Sequence, residues 1–308
     1  MSLNITPNDY LKYSSLYKRT KNFTALKELE RNVFLDTIKI VNTNFYETND
    51  GKIINLPSPK EMMDKTIFYY NVPRIEDIPS LYNTQITVEE SDSIDAGKKL
   101  LDAGFNPIVL NMASGKRPGG GVLNGSSAQE ESLFRRTNLF QSMYQFCDYG
   151  STYGVPKRIE SYPMYKNTNG IYTPKATVFR SDKSLGYALL DEPFLLSFVS
   201  VPAINRPTLT EDGLLNFEDI ETTISKMKTI FNIAIANNHD AIVLGAWGCG
   251  AFKNPPHHIA KLFNMVLHHN EFNGKFRKVV FAIIENKHKS GPTNPNGNLL
   301  PFKTEFCC

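Results

Sequence analysis

Apolar residues near the N-terminus recur at helical spacing over one long segment. From Thr24 onward, the apolar positions that share one helical stripe are Leu26, Leu29, Val33, Phe34, Ile38 and Val41. This spacing predicts an amphipathic helix whose apolar stripe packs on a core. The first twenty residues are polar and show no such period, so we expect a flexible tail there.

Beyond Gln85, short apolar runs alternate with helical patterns, as is typical of βαβ units. The predicted elements are strands at 86–89, 107–112, 194–201, 241–244 and 279–284 and helices at 92–101, 217–237 and 255–269. Between 46 and 84 the pattern is irregular, with short candidate strands at 52–56 and 66–70. The alternation predicts a three-layer α/β fold with a largely buried sheet.

No internal repeat or low-complexity tract divides the chain, so we expect one α/β unit carrying a helical N-terminal extension. The predicted boundaries are a flexible tail at 1–20, the extension at 21–105, the catalytic core at 106–290 and a second tail at 291–308. The extension is expected to pack on the core.

Composition and charge restrict the classes of protein to which the chain can belong. Charged residues at 21% and hydrophobic residues at 41% are typical of a globular chain, which excludes intrinsic disorder. The formal net charge is +3, and lysine and arginine form no block of five or six, so we expect no direct nucleic-acid binding. No signal peptide or membrane span is expected, and we place the protein in the cytoplasm or nucleus.

The first candidate site is the loop after strand 107–112, where Gly119, Gly120 and Gly121 follow one another. Glycine lacks a Cβ and accepts positive φ, so such a run allows the backbone to approach a ligand closely. A mobile surface loop is the alternative. After seven further residues the chain reads Gln129-Glu130-Glu131, followed by a segment with a helical pattern.

Adjacent carboxylates on a helix point about 100° apart, so both can meet one substrate only near the helix entry. Glycoside hydrolysis needs carboxyl groups beside the scissile bond, which makes Glu130 and Glu131 catalytic candidates. A solvated pair that favours the helix dipole is the alternative. The helix entry also favours ionised carboxylates, which an anionic ligand would have to offset for a general acid.

The second candidate loop follows strand 241–244 and contains Gly245, Gly248 and Gly250. A glycine-rich turn between a strand and a helix can direct backbone N–H groups at a phosphate, although a tight turn alone is the alternative. Asn254 suits the N-cap and Pro255 the first helical position. In this loop we expect Phe252 to contact ligand and Trp247 to pack in the core.

Other reactive side chains suggest no further chemistry. The six histidines show no metal-ligand spacing, so neither a metal nor a cofactor is expected. Cys249 has no histidine near it in sequence and is not expected to be a nucleophile. The terminal Cys307-Cys308 pair resembles a double-cysteine prenylation tail, but no polybasic run supports it, and no membrane association is expected.

Together the two loops resemble the bacterial-type poly(ADP-ribose) glycohydrolases, a branch of the macrodomain fold. The resemblance rests on the spacing of the triple glycine at 119–121 and Gln-Glu-Glu at 129–131. It extends to NMAS at 111–114, VFRSD at 178–182, VPAIN at 201–205 and VLGAWGCGAFKNPP at 243–256, and covers roughly residues 24–286.

The resemblance implies a mixed sheet between helices with ADP-ribose across the strand ends. By analogy, Glu131 protonates the leaving oxygen and then activates water, while Glu130 holds ribose hydroxyls. The implied substrate-binding residues are Asn111, Gly119, Gly120, Gly121, Gln129, Asn205, Gly245, Gly248, Cys249, Gly250, Ala251 and Phe252. The implied partners are ADP-ribose and poly(ADP-ribose) on modified proteins, with exo action.

Two other functions remain open because macrodomains host several activities. The chain could remove single ADP-ribose groups from proteins or nucleic acids, or it could bind ADP-ribose without turnover. The Glu130–Glu131 pair disfavours a mere reader, since binding a diphosphate needs no carboxylic acid.

Overall fold

The structure is a computed structural model that describes residues 6–48, 50–72, 79–285 and 294–307. In these ranges the strands are β1 Phe45–Glu47, β2 Ile53–Asn55, β3 Ile67–Tyr69, β4 Gln85–Glu89, β5 Pro107–Asn111, β6 Gly170–Arg180, β7 Leu189–Ser200, β8 Ala241–Leu244 and β9 Lys278–Ala282. The helices are α1 Pro7–Arg19, α2 Phe23–Thr43, α3 Lys60–Lys65, α4 Ser93–Asp102, α5 Gln129–Arg136, α6 Leu139–Tyr144, α7 Phe217–Ala236, α8 Pro256–His268 and α9 Leu299–Phe306.

The chain divides into two compact units. The first comprises residues up to Thr66, Lys116–Pro163 and Thr173–Leu195. The second comprises Ile67–Gly115, Met164–Tyr172 and the chain from Leu196 onward. These units do not follow the boundaries inferred from sequence, 21–105 and 106–290, which stay a prediction.

The second unit is built on the sheet. Seven strands of the described ranges pair in the order β3-β6-β7-β5-β8-β9-β4. Strands β7, β5, β8, β9 and β4 run parallel, whereas β3 is antiparallel to β6. The sheet is therefore mixed, as expected, and the parallel strands end at one common edge.

Helices cover both faces of this sheet, as the alternation along β5 shows. Ile108 and Leu110 point to one face, into a core shared with α7 and α8. Val109 points to the other face, where Gly97 of α4 lies so close that an added Cβ would be 2.9 Å from the valine. This is the three-layer α/β arrangement predicted from the alternating pattern.

The first unit forms a second core around α2. Phe34 of α2 packs against Phe134 of α5 and Phe140 of α6, with ring centroids 6.2 and 5.8 Å apart. The stripe predicted for this helix is correct: Leu29, Val33, Phe34, Ile38 and Val41 are all buried. This packing fixes α5, which carries the paired glutamates.

Both predicted tails contain helices, and the prediction of structureless ends is wrong for the described residues. Helix α1 begins after Thr6, whose side chain accepts a hydrogen bond from the Asp9 N–H, and buries Tyr10. Helix α9 buries Leu299 and Phe302. Each of these short helices buries only two residues, which is too few to produce a readable period.

Elsewhere the predicted elements lie close to the observed ones. Strand β8 matches at both ends, and α4 is capped by Asp92 as expected. Strand β7 begins five residues before the predicted position 194. Strand β6 was not predicted, since its eleven residues are buried on both faces except Lys175 and so lack an alternating pattern.

No helix in the described ranges is both long and apolar enough to cross a bilayer. Cys307 is an exposed free thiol just after α9, and Cys308, the other candidate for lipidation, lies outside the described residues.

Lys226 of α7 is an unusual member of the core. Its side chain is 6% exposed and makes no hydrogen bond or ion pair with the described residues. Burial lowers the pKa of its amine from 10.5 to about 8. Between these values the unfolded chain binds the extra proton, so stability should rise with pH across this window and the burial penalty is complete below it.

We therefore expect Lys226→Met to raise the free energy of unfolding near neutral pH, by an amount on the order of 3 kcal/mol, because a buried ammonium is replaced by an apolar group. The gain should shrink toward pH 10.5. Denaturant unfolding at the two pH values measures it. Lys261→Met, on the exposed side of α8, is the control, and equal effects of the two variants would contradict the assignment.

Candidate active site

Helix α5 begins at the sequence-predicted Gln129, immediately after Ala128 as N-cap. Gln129 is half-buried, and Glu130 and Glu131 occupy the next two positions with only 4% and 7% of their surface exposed. Alanine offers no side-chain acceptor, so the exposed donors at this helix entry must be satisfied in another way. Because both glutamates are buried, they are not the solvated pair considered as the alternative.

Glu131 holds the helix entry to the triple-glycine loop. Its Oε2 accepts a hydrogen bond from the Ala128 N–H at 2.9 Å, and its Oε1 accepts one from the Gly121 N–H at 2.9 Å. The first bond is the reciprocal half of a capping box. Each oxygen keeps a further lone-pair site, so the carboxylate is fixed in orientation and still able to bind a proton.

Glu130 is held by the same loop and faces a group of tyrosines. Its Oε1 accepts a hydrogen bond from the Gly119 N–H at 3.0 Å. Burial raises the pKa of the Tyr162 hydroxyl well above its usual value, and the charge of Glu130 adds to this shift. Burial likewise raises the pKa of Tyr149, with smaller contributions from Cys147 and Glu130. Both tyrosine hydroxyls are therefore neutral.

The three glycines are required for this close approach. A Cβ on Gly119 would lie 2.6 Å from the ring of Phe134, and one on Gly120 would lie 2.7 Å from Oε1 of Glu131. Gly119 and Gly120 also have φ of +75° and +54°, which disfavour any side chain. Glycine is therefore needed here for two reasons. It leaves room for the neighbouring side chains, and it tolerates positive φ.

This arrangement gives the triple glycine a role within the protein that the sequence did not predict, while its contact with ligand stays a prediction. All three N–H groups are already used within the chain, since that of Gly120 donates to the Arg117 carbonyl at 3.3 Å. The loop therefore orients the two glutamates instead of offering free N–H groups to a diphosphate.

A buried ionic cluster links α5 to α2. Glu30 of α2 accepts hydrogen bonds from Tyr10 at 2.7 Å and Tyr187 at 3.2 Å, and it pairs with Arg135 at 3.3 Å and with Lys183. Burial alone would raise the pKa of Glu30, but the charges of Arg135 and Lys183 outweigh it and lower that pKa.

Arg135 connects this cluster to the loop that holds Glu131. Its Nη2 donates to the Ser126 carbonyl at 2.6 Å, and its Nε donates to the Glu30 carbonyl at 2.8 Å. Ser126 lies between Gly121 and Ala128, the two residues whose N–H groups hold Glu131. None of the residues in this cluster was predicted.

The second unit brings its predicted site residues to one sheet edge. Asn111 ends β5, fully buried, and its Nδ2 donates to Oγ of Ser200 at the end of β7, 3.0 Å away. Its Oδ1 accepts no hydrogen bond from the described residues. Gly245 follows β8 at the same edge, where an added Cβ would lie 2.4 Å from Met112.

Asn254 organises the loop after β8, and the prediction that it caps α8 is wrong. The N-cap is Pro255 and the first helical residue is Pro256. Instead, Nδ2 of Asn254 donates to the carbonyls of Ile204 at 2.7 Å and Gly248 at 3.1 Å. An amide with two donors can join two loops, which a cap on one helix could not achieve.

The segment after β7 completes this arrangement. The Arg206 N–H donates to the Phe252 carbonyl at 2.7 Å, so the exposed Asn205 lies between two tethered residues. Trp247 is buried as expected, and its indole N–H donates to the Val201 carbonyl at 3.0 Å. Phe252 remains half-buried.

Backbone donors are available in the loop after β8. The N–H groups of Gly248, Gly250, Ala251 and Phe252 form no hydrogen bond with the described residues. The Cys249 N–H is used, donating to the Ala246 carbonyl at 3.0 Å. Burial raises the pKa of the Cys249 thiol far above its usual value, which disfavours the nucleophilic thiolate.

In the part of the chain that is described, no three His, Cys, Asp or Glu side chains converge as a metal site would require. The first loop holds carboxylates, which accept hydrogen bonds and suit a sugar, and the loop after β8 offers backbone N–H donors, which suit an anion.

The fold and these loops define a microbial-type glycohydrolase of the macrodomain-like class. Residues 35–181 match the family model described as the catalytic domain of microbial-type PARG, and this range includes the triple glycine and both glutamates. This match spans just under half of the chain and, with the solved structures described next, confirms the expected resemblance to the microbial-type poly(ADP-ribose) glycohydrolase (PARG) family.

Solved structures agree with this assignment. The chain is 28% identical to the poly(ADP-ribose) glycohydrolase of Thermomonospora curvata bound to the inhibitor ADP-HPD, with a TM-score of 0.72, covering 90% of this chain and 99% of that one. It is 27% identical to the enzyme of Deinococcus radiodurans in complex with ADP-ribose, with a TM-score of 0.64 and coverage of 82% and 98%. A comparison with curated proteins found no match.

We expect Glu30→Gln to destabilise the protein by about 3–5 kcal/mol at neutral pH, because it leaves the buried Arg135 without its counter-charge. The pKa of Glu30 is lowered on folding from 4.5, so this stabilisation is present above that value and is lost as pH falls below it. Urea unfolding near pH 7 and in acid measures both effects. The control is Glu28→Gln, which is exposed on the same helix. Equal stability of the two variants would show that the buried ion pairs of Glu30 do not stabilise the fold.

Proposed function

We propose that the chain hydrolyses the ribose–ribose O-glycosidic bond of poly(ADP-ribose) and releases ADP-ribose. The observation that carries this proposal is the buried Glu130–Glu131 pair, held by hydrogen bonds from the glycine loop at a helix entry. The match to the family model and the ligands named for the solved relatives support it.

In the proposed reaction Glu131 gives a proton to the leaving ribosyl oxygen as the bond from that oxygen to the anomeric carbon breaks. The resulting oxocarbenium-like sugar is attacked by water, and Glu131 takes a proton back from that water. Two N–H bonds fix the carboxylate, so little reorganisation is needed during proton transfer. An anionic ligand nearby would favour the protonated form that the first step requires.

Glu130 has a different proposed role. Its carboxylate is buried and is tied to Gly119, which suits a group that accepts hydrogen bonds from ribose hydroxyls. The diphosphate is assigned to the second unit, where the unused N–H groups of Gly248, Gly250, Ala251 and Phe252 supply donors. We assign the polar edge residues Asn111 and Asn205 to ribose contacts.

We further propose that hydrolysis proceeds from the polymer end and that the substrate chains are carried on modified proteins. A single assay tests the activity and its alternatives: the protein is incubated separately with polymer and with mono-modified protein, and free ADP-ribose is followed. Release from mono-modified protein alone would favour the mono-ADP-ribosyl hydrolase, and binding without release would favour a reader.

The catalytic assignment predicts that Glu131→Gln lowers the turnover of polymer by roughly 100-fold to 10,000-fold, the usual contribution of one positioned acid or base. Glutamine has one acceptor oxygen, so it keeps only one of the two N–H bonds and the loop changes little. Glu130→Gln should weaken ADP-ribose affinity as well as rate. Initial rates and calorimetric affinities separate the two effects.

Ser132→Ala, one position further along α5, is the matched control and should retain wild-type turnover. If Glu131→Gln hydrolyses polymer at a rate close to that of this control, Glu131 is not the general acid.

The diphosphate assignment is best tested at Gly250. Gly248→Val is unsuitable, because its Cβ would lie 2.6 Å from Nδ2 of Asn254 and Gly248 has φ of +76°, so the fold itself would be disturbed. A Cβ on Gly250 meets nothing within 4 Å. We expect Gly250→Val to keep the wild-type melting temperature and to weaken ADP-ribose binding about tenfold or more, by blocking the approach of phosphate to the backbone.

Gly250→Ala should show a smaller loss in the same titration. Unchanged affinity in a folded Gly250→Val protein would remove this part of the loop from the ligand site.

A further inference from the structure

The corner between α1 and α2 presents an unusual surface within the first unit. It exposes five cations and one aromatic ring, which we call the basic corner: Lys18, Arg19, Lys21, Phe23, Lys27 and Arg31. Phe23 is 59% exposed at the very start of α2. An aromatic ring left in solvent among cations gives this surface both charge and a flat apolar face.

Positive charge is concentrated here. Residues 6–31 contain six basic and three acidic residues, whereas the whole chain has a formal net charge of only +3. One of the three acids, Glu30, is buried and paired with Arg135 and Lys183. The five cations of the corner form no ion pair with the described residues. Sequence inspection missed this surface because the charges are spread over two helices.

The basic corner adjoins the loop that holds the glutamates. Phe23, Lys27 and Arg31 follow one another at intervals of four residues and therefore share one face of α2. Gly125, which ends the turn after the triple glycine, packs directly on this helix: an added Cβ would lie 1.9 Å from the Lys27 carbonyl oxygen. A chain leaving that loop along α2 would meet these side chains.

We infer that the basic corner binds the part of a poly(ADP-ribose) chain beyond the unit being cleaved, an inference that rests on the proposed function. Each unit of this polymer carries a diphosphate and an adenine. Cations bind such a polyanion by releasing its counterions, and an exposed ring stacks on a base. We expect free ADP-ribose, which is a single unit, to leave this surface unoccupied and its binding to be unaffected.

The test compares ligands of different length. In the Glu131→Gln background, which prevents hydrolysis, fluorescence anisotropy measures the affinity for labelled long chains and for free ADP-ribose at several salt concentrations. With Lys18→Gln, Arg19→Gln and Lys21→Gln combined, we expect long-chain affinity to fall about tenfold or more. The salt slope of log K should fall by roughly 2, given about 0.7 per contact for a single-stranded polyanion.

Phe23→Ser tests stacking separately. It should weaken long-chain binding about fivefold or more without changing the salt slope, because stacking on a ring releases no counterion. Affinity for free ADP-ribose should remain unchanged in every corner variant, as should the melting temperature.

The control combines Lys52→Gln, Lys261→Gln and Lys303→Gln. These lysines are exposed elsewhere, and the net charge changes by the same amount as in the corner variant. Equal long-chain affinity of the control and the corner variant would overturn the inference. The corner variant is also titrated with labelled single-stranded DNA. If it loses DNA binding while polymer binding stays intact, the inference is overturned and the surface is assigned to nucleic acid. Polymer hydrolysis by the wild type is measured separately, so failure of the proposed function is distinguishable from failure of the corner.

Discussion

Three hydrogen bonds from backbone N–H groups to two buried carboxylates organise the first unit. Gly119 holds Glu130, and Gly121 and Ala128 hold Glu131. Buried carboxylates are costly unless their oxygens are satisfied, and a helix entry without a capping side chain is costly unless its N–H groups are satisfied. The N–H groups of the glycine loop satisfy the carboxylates, and Glu131 in turn satisfies the N–H of the N-cap residue Ala128.

The surrounding structure serves this arrangement. Glycine is needed where the loop passes Phe134 and the Glu131 carboxylate, and Arg135 fixes the intervening carbonyl of Ser126. Arg135 is itself a buried charge, which Glu30 compensates from α2. The N-terminal helices therefore belong to the support of the two glutamates.

Much of this could be predicted from residue types and spacing. The amphipathic stripe located α2, and the distance from the triple glycine to the paired acids indicated a single site. The functions of individual residues were less accessible. The triple glycine suggested donors for a phosphate, yet its donors are used by side chains ten or eleven positions further along the chain. Asparagine is a common N-cap residue, but Asn254 lies before the helix start and its side chain links two loops.

Long-range pairing explains the remaining gaps. Glu30 and Arg135 are 105 residues apart, and neither carries a local signal that it is buried. Lys226 fits the polar side of a helix in sequence and lies in the core in the structure. Such residues depend on tertiary packing, which overrides local propensity. Helix α1 is similar, since one tyrosine hydroxyl on Glu30 anchors it.

The direct bonding of main-chain amides to the two glutamates also has a spectroscopic consequence. An amide proton that donates to a carboxylate resonates at a different frequency once the carboxylate is protonated, so each such amide reports on one acid. Gly119 reports on Glu130, while Gly121 and Ala128 report on Glu131. Backbone resonances of three residues thus allow the ionisation of each adjacent glutamate to be followed individually, without a label on either side chain.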